Sequence, residues 1–216
     1  MRIIKNKLPG LIVIAVTLGA MLCAYGLQAK SKSKIKGVTI TSRIYGVKTD
    51  GTIVELGWKT TYISARGGWR TVKTSPDGKI EQILVADASR GGVFSLDTGK
   101  SEALKVAPFT PQDTAYMDAE GYRKHPQFAG EENLLGFKAF TQRMTTPEGK
   151  IDSELTFIPE FDIVPAKELH YLSDGSKRIV EPVSINVAEP ADKYFHLPPG
   201  IATKDALLNQ DHGQNR

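Results

Sequence analysis

The chain reads as a mainly β protein. It reads as a large curved antiparallel meander with a few short helices, preceded by an N-terminal apolar helix. Three observations predict this. Turn signals recur as Thr49-Asp50-Gly51, Ser75-Pro76-Asp77-Gly78, Asp97-Thr98-Gly99, Thr146-Pro147-Glu148-Gly149 and Ser173-Asp174-Gly175, where glycine supplies the positive φ that tight hairpins need. Between them run segments of period-2 alternation, the mark of half-buried strands. Helical patterning is sparse.

The first element is a leader. Met1–Lys7 holds Arg2, Lys5 and Lys7, Leu8–Leu27 runs 20 residues without a charge, and small residues follow as Ala24-Tyr25-Gly26 and Leu27-Gln28-Ala29. That order makes residues 1–29 an export signal. A cleaved signal ranks first. An uncleaved anchor, attaching the protein to the inner membrane through residues 8–27, ranks second because the stretch is long enough to span a bilayer. Lys30, Lys32, Lys34 and Lys36 lie just beyond it, where positive charge works against translocation, and residues 30–34 read as a basic linker. Both readings make the domain periplasmic or otherwise extracytoplasmic. Cys23, the sole cysteine, follows the bulky Leu22, which disfavours lipid attachment there, so the mature chain is held by packing rather than cross-links.

A β-rich domain follows over residues 35–202. Its predicted strands are Ile35–Val47, Thr52–Ala65, Gly68–Thr74, Lys79–Ala86, Gly92–Leu96, Ser101–Val106, Leu134–Thr145, Lys150–Ile158, Lys167–Leu172 and Ser176–Val187. Alternation is clearest in Thr52–Ala65, where Val54, Leu56, Trp58 and Tyr62 fall on one face and Glu55, Lys59 and Thr61 on the other. One-sided alternation joined by short turns means antiparallel sheet with one face packed and one wet. Thr110–Glu120 suits a short helix, Asp192–His196 a single turn, and Thr203–Gln210 a helix capped by Thr203; residues 203–216 are this helix and a polar tail. Pro108–Asn133 separates six strands from four and is long enough to be a functional loop.

Charge narrows the function classes. The chain has 28 Lys and Arg against 24 Asp and Glu, and three of the basic residues lie in the leader, leaving 25 against 24. A nucleic-acid footprint is therefore not supported. His125, His170, His196 and His212 form no close pair, so no metal site is predicted. The acid pairs Asp152/Glu154 and Glu160/Asp162 each share a strand face, which is the ordinary pattern of a wet edge, and no nucleophile or phosphate-loop motif accompanies them. No catalytic residue, cofactor or metal is expected.

The second half carries a distinctive closing run, Ile185-Asn186-Val187-Ala188-Glu189-Pro190-Ala191-Asp192-Lys193-Tyr194-Phe195-His196-Leu197-Pro198-Pro199-Gly200. It fits the segment I-x-x-x-E-P-x-x-x-x-F-x-x-P-x-G of exported, mostly uncharacterised bacterial proteins with the lipoprotein-carrier (LolA/LolB-like) half-barrel, which this chain resembles over roughly residues 35–200. The resemblance implies an open curved sheet whose concave face is apolar and, in carriers, holds acyl chains. Long amphipathic plug helices of that family are missing here, and no ligand residue is carried over.

Among the aromatic and aliphatic strand residues, Val54, Leu56, Trp58, Tyr62, Phe94, Phe137 and Phe157 are the candidates to line the concave face. The expected function is an exported envelope protein that binds an apolar or amphipathic ligand there, a lipid or a lipidated protein, with membrane association through an uncleaved N-terminus. The alternative is an extracytoplasmic interaction or sensor module that contacts an envelope protein and carries no lipid.

Overall fold

The computed structural model describes residues 36–97, 99–109, 117–161 and 164–206; the leader, the basic linker, most of the helix expected over Thr110–Glu120 and the polar tail lie outside them. The strands are β1 (Val38–Val47), β2 (Ile53–Ile63), β3 (Trp69–Thr74), β4 (Ile80–Asp87), β5 (Gly92–Asp97), β6 (Glu102–Pro108), β7 (Phe128–Leu134), β8 (Phe137–Thr145), β9 (Ile151–Phe157), β10 (Lys167–Tyr171), β11 (Lys177–Asn186) and β12 (Ala202–Asp205). All belong to one open sheet in the order β12-β6-β5-β4-β3-β2-β1-β11-β10-β9-β8-β7. Two meanders, β1–β6 and β7–β11, meet where β1 pairs antiparallel with β11. Every ladder is antiparallel except the short parallel pairing of β12 with β6.

Four hairpins repeat one turn. In each, a glycine N–H closes back three residues (Gly51 to Lys48, Gly78 to Ser75, Gly149 to Thr146, Gly175 to Leu172) and a second bond spans four. The glycines sit at φ between +80° and +84°, the left-handed position of a three-residue hairpin loop.

Strands β7 and β12 go beyond the sequence-based list. The outward half of β7 is acidic, with Glu131 and Glu132, and Gly130 interrupts its register, so it lacks the apolar alternation that marks a strand. Thr203–Asp205 is extended rather than helical: it pairs with Ala103–Lys105, and Lys204 bridges Glu102 at 2.9 Å. The exposed β6 ladder offers these backbone groups partners that a short isolated helix could not match.

Curvature follows from one contact. Lys59 on β2 forms an ion pair with Glu168 on β10, although β1 and β11 lie between them. Three strand spacings amount to about 14 Å across a flat sheet. That is about the whole reach of an extended lysine, a hydrogen bond and an extended glutamate laid end to end. Side chains leave a sheet near the perpendicular, so the contact requires β2 and β10 to tilt toward each other. The Lys59 face is concave. On β1 this face holds the buried Val38, Ile40, Ser42 and Ile44, while Thr39, Thr41, Arg43 and Tyr45 on the convex face remain accessible.

Beyond the core cluster of Val38, Ile40, Ile63, Leu134 and Ala139, each wing is covered by its own segment, on opposite sides of the sheet. On the first wing, the run from Ala188 to Ile201 crosses the convex side, where Leu197 and Ile201 pack on Ile83, Val85, Phe94 and Ala103. Residues of the closing segment fasten it: Glu189 accepts from Ser64 Oγ at 2.6 Å and from Ala65 N at 3.0 Å, Phe195 seats against Gly68, and Tyr194 stacks on Tyr62 at 4.4 Å. Asp87, 1% exposed, accepts from Ser89 N, Ser89 Oγ and Leu197 N. On the second wing the concave side is covered instead. Helix α1 (Ala119–Lys124), capped by Asp118, stacks Tyr122 on Phe140 at 5.4 Å and on Phe157 at 5.8 Å.

Asp87→Ala should release the crossing segment and cost about 2 kcal/mol, the scale of charge-assisted bonds lost from a buried site; urea denaturation reads it. Gly57, at φ +119° with Thr74 O only 2.0 Å from an added Cβ, should tolerate no side chain. Gly57→Ala should cost at least about 2 kcal/mol on the same assay.

Candidate functional site

The seven candidate residues do not share a surface. Register shifts by one between Ile44/Gly57 and Tyr45/Glu55, so Leu56 is an extra residue in β2 and the alternation reverses there. Val54 opposes Gly46 and Leu56 contacts it, which puts both at the concave rim. Trp58 opposes Arg43 and Tyr62 opposes Thr39, both on the convex face. Phe94 lies in the convex-side core under Leu197. Phe137 packs edge-on against Phe161 at 5.2 Å, on the convex side of β8. Phe157 opposes Phe140 on the concave side and meets Tyr122. The structure therefore brings Val54, Leu56 and Phe157 to the concave face and the other four to the convex one.

The centre of the concave face is charged, against the expectation of a uniformly apolar lining. Following the register from strand to strand, Lys59 opposes Lys73, His170 opposes Arg178, and Glu168 opposes Val180, all on this face. The bulge at Leu56 is the physical reason Lys59 reaches this face: without it Lys59 falls opposite the apolar stripe. Lys59 is only 8% exposed and is paired with Glu168, which also takes a hydrogen bond from His170 Nε2 at 2.9 Å. Burial alone would raise the Glu168 carboxyl. The Lys59 ammonium and the His170 bond outweigh it and hold the group well below its ordinary 4.5. Burial pushes the Lys73 ammonium downward, and the neighbouring Arg178 charge pushes the same way.

Apolar side chains frame this centre. Trp69, Leu84, Leu155 and Phe157 are half-buried on the concave face, and Val54 and Leu56 are exposed at its rim. The lining is amphipathic: cations in the middle, hydrocarbon around them. Of the paired acids, Asp152 is the extra residue at the β8–β9 irregularity, Glu154 is engaged by Arg143 at 2.8 Å, and Asp162 lies outside the described residues. Among the described residues, no group of three or more His, Cys, Asp or Glu could hold a metal ion. Lysines in strands and one Gly inside an alternating run were the available signals for this site. The strand to which each lysine is coupled was not readable from one segment.

Comparison with known proteins gives likenesses of shape. No family model matches the chain, and no curated protein does. Similar solved structures include a LolA superfamily protein from Nitrosomonas europaea, at 10% identity over 86% of this chain and 97% of that one, with a TM-score of 0.43. Another is the lipoprotein LppX of Mycobacterium tuberculosis, at 10% identity over 82% and 98%, with a TM-score of 0.32.

A carboxyl with a depressed folded value contributes stability above its unfolded value and loses it as pH falls toward the folded one. Resistance to urea should therefore decline as pH drops below the ordinary 4.5 of Glu168. Glu168→Gln should shrink that decline and cost about 3 kcal/mol at neutral pH, because it strands the Lys59 ammonium in a buried site. Replacing both partners, Lys59→Met with Glu168→Leu, should restore most of the loss.

Proposed function

We propose that this is an exported, non-enzymatic binding protein that holds an amphipathic ligand, a lipid or a lipidated protein, on the concave face of its sheet. One observation carries the reading: on the concave face, half-buried Trp69, Leu84, Leu155 and Phe157 surround a cluster of cations. A wholly apolar ligand would desolvate those cations without compensation, and a wholly polar one would leave the hydrocarbon wet. A chain with a polar head meets both. Covering the apolar part gains about 25 cal/mol per Å² before the costs of ordering. Export rests on the leader, and an uncleaved leader would keep the domain beside the membrane that supplies such ligands.

The convex face supports the second reading, a protein-interaction or sensor module without lipid. Ile53, Trp58 and Ile80 lie there at 62%, 39% and 43% exposure, and isolated aromatic anchors of this type are favoured at protein contacts.

Native mass spectrometry of the protein purified from its own envelope separates the two. A bound mass of lipid size, lost on denaturation, is the expected result. A ligand-free protein that retains a protein partner in pulldown would replace the first reading with the second.

A further inference from the structure

The positive charge on the concave face is not balanced by the residues around it. Lys59 and Lys73 stand directly opposite each other on β2 and β3, a like-charge pair that costs stability. Glu168 neutralises Lys59. Lys73 has no salt bridge among the described residues; the carboxylates of Glu81 and Glu168 act on it only at longer range. Arg178, opposite His170, likewise has no ion pair among them, and its Nε is buried without an acceptor. Further along the same face, Gln142 on β8 is 6% exposed and keeps a buried Nε2 without an acceptor. Buried donors left open in this way cost free energy unless something supplies the acceptor.

We propose that Lys73 on β3 and Arg178 on β11, on the same concave face as the Lys59–Glu168 pair, form the seat for an oxyanion, the carboxylate or phosphate head of the ligand whose chain lies along the surrounding apolar residues. The proposal rests on the amphipathic-ligand reading for the chain and on the unpaired cations for the head. Arg178 supplies a planar fork suited to two oxygens, and Lys73 a compact charge. Glu168 sets the polarity of the seat. By occupying Lys59 it leaves Lys73 and Arg178 for the incoming group.

Calorimetric titration of the full-length chain with dodecanoate, dodecanol and inorganic phosphate tests this. Dodecanoate should bind at least about tenfold tighter than dodecanol, as charge-assisted hydrogen bonds to an anion imply. Lys73→Met with Arg178→Met should bring the two to equal affinity by weakening dodecanoate. The single variants, each checked for native circular dichroism, should each remove part of the preference. Binding of phosphate alone that the double variant abolishes, with neither chain compound bound, would uphold the seat and overturn the amphipathic reading. Dodecanol binding as tightly as dodecanoate, or a preference that survives in the double variant, would overturn the seat while leaving the amphipathic reading standing. Failure of all three probes to bind would overturn both.

Discussion

The ion pair between Lys59 and Glu168 fixes the geometry on which the rest of the molecule depends. Two charges on strands separated by β1 and β11 can meet only over a bent sheet. Desolvating them is costly and is offset only when the geometry is good and the remaining lone pairs are filled. Here His170 fills one, and Ser42 and Thr61, both buried, line the same face. The pair thus stabilises little by itself. What it contributes is definition: one curvature, and one register for the strands it links.

A bent open sheet must still cover its apolar surface, and each wing does so from a different side. On the first wing the run after β11 crosses back over its convex face, anchored at Ser64, Gly68 and Asp87. That division explains the closing segment in physical terms. Glu189 fills the turn after β2, Phe195 fills the space that Gly68 leaves, and the chain beyond Leu197 is delivered to the β6 edge. On the second wing Tyr122 does the covering from a helix of six residues.

Much of the sheet was legible along the chain. Ten of the strands follow from alternation, and the four Gly-closed turns follow from their residues, because both are local properties. The open, mainly β architecture follows from them. The faces were not legible. A single extra residue at Leu56 inverts everything after it in β2, and nothing in the local pattern distinguishes a bulge glycine from a strand glycine. Trp58 and Tyr62 thereby exchange places with Lys59 and Thr61. Strands β7 and β12 were missed because they are defined by their partners: an acidic run paired with β8, and four residues captured by an edge. The charged centre depends on the β1–β11 seam, which joins residues more than a hundred positions apart.

The two ends of the sheet have a consequence for how these molecules coexist. An unprotected border strand is a template for another chain. At one border β7 carries a twist-inducing irregularity at Gly130 and adjacent carboxylates at Glu131 and Glu132. At the other, β12 is four residues long and reversed in direction relative to an antiparallel neighbour, with Lys204 and Asp205 at its end. Neither border offers the long, flat, uncharged run that polymerisation needs, so even a crowded compartment should find this sheet reluctant to grow.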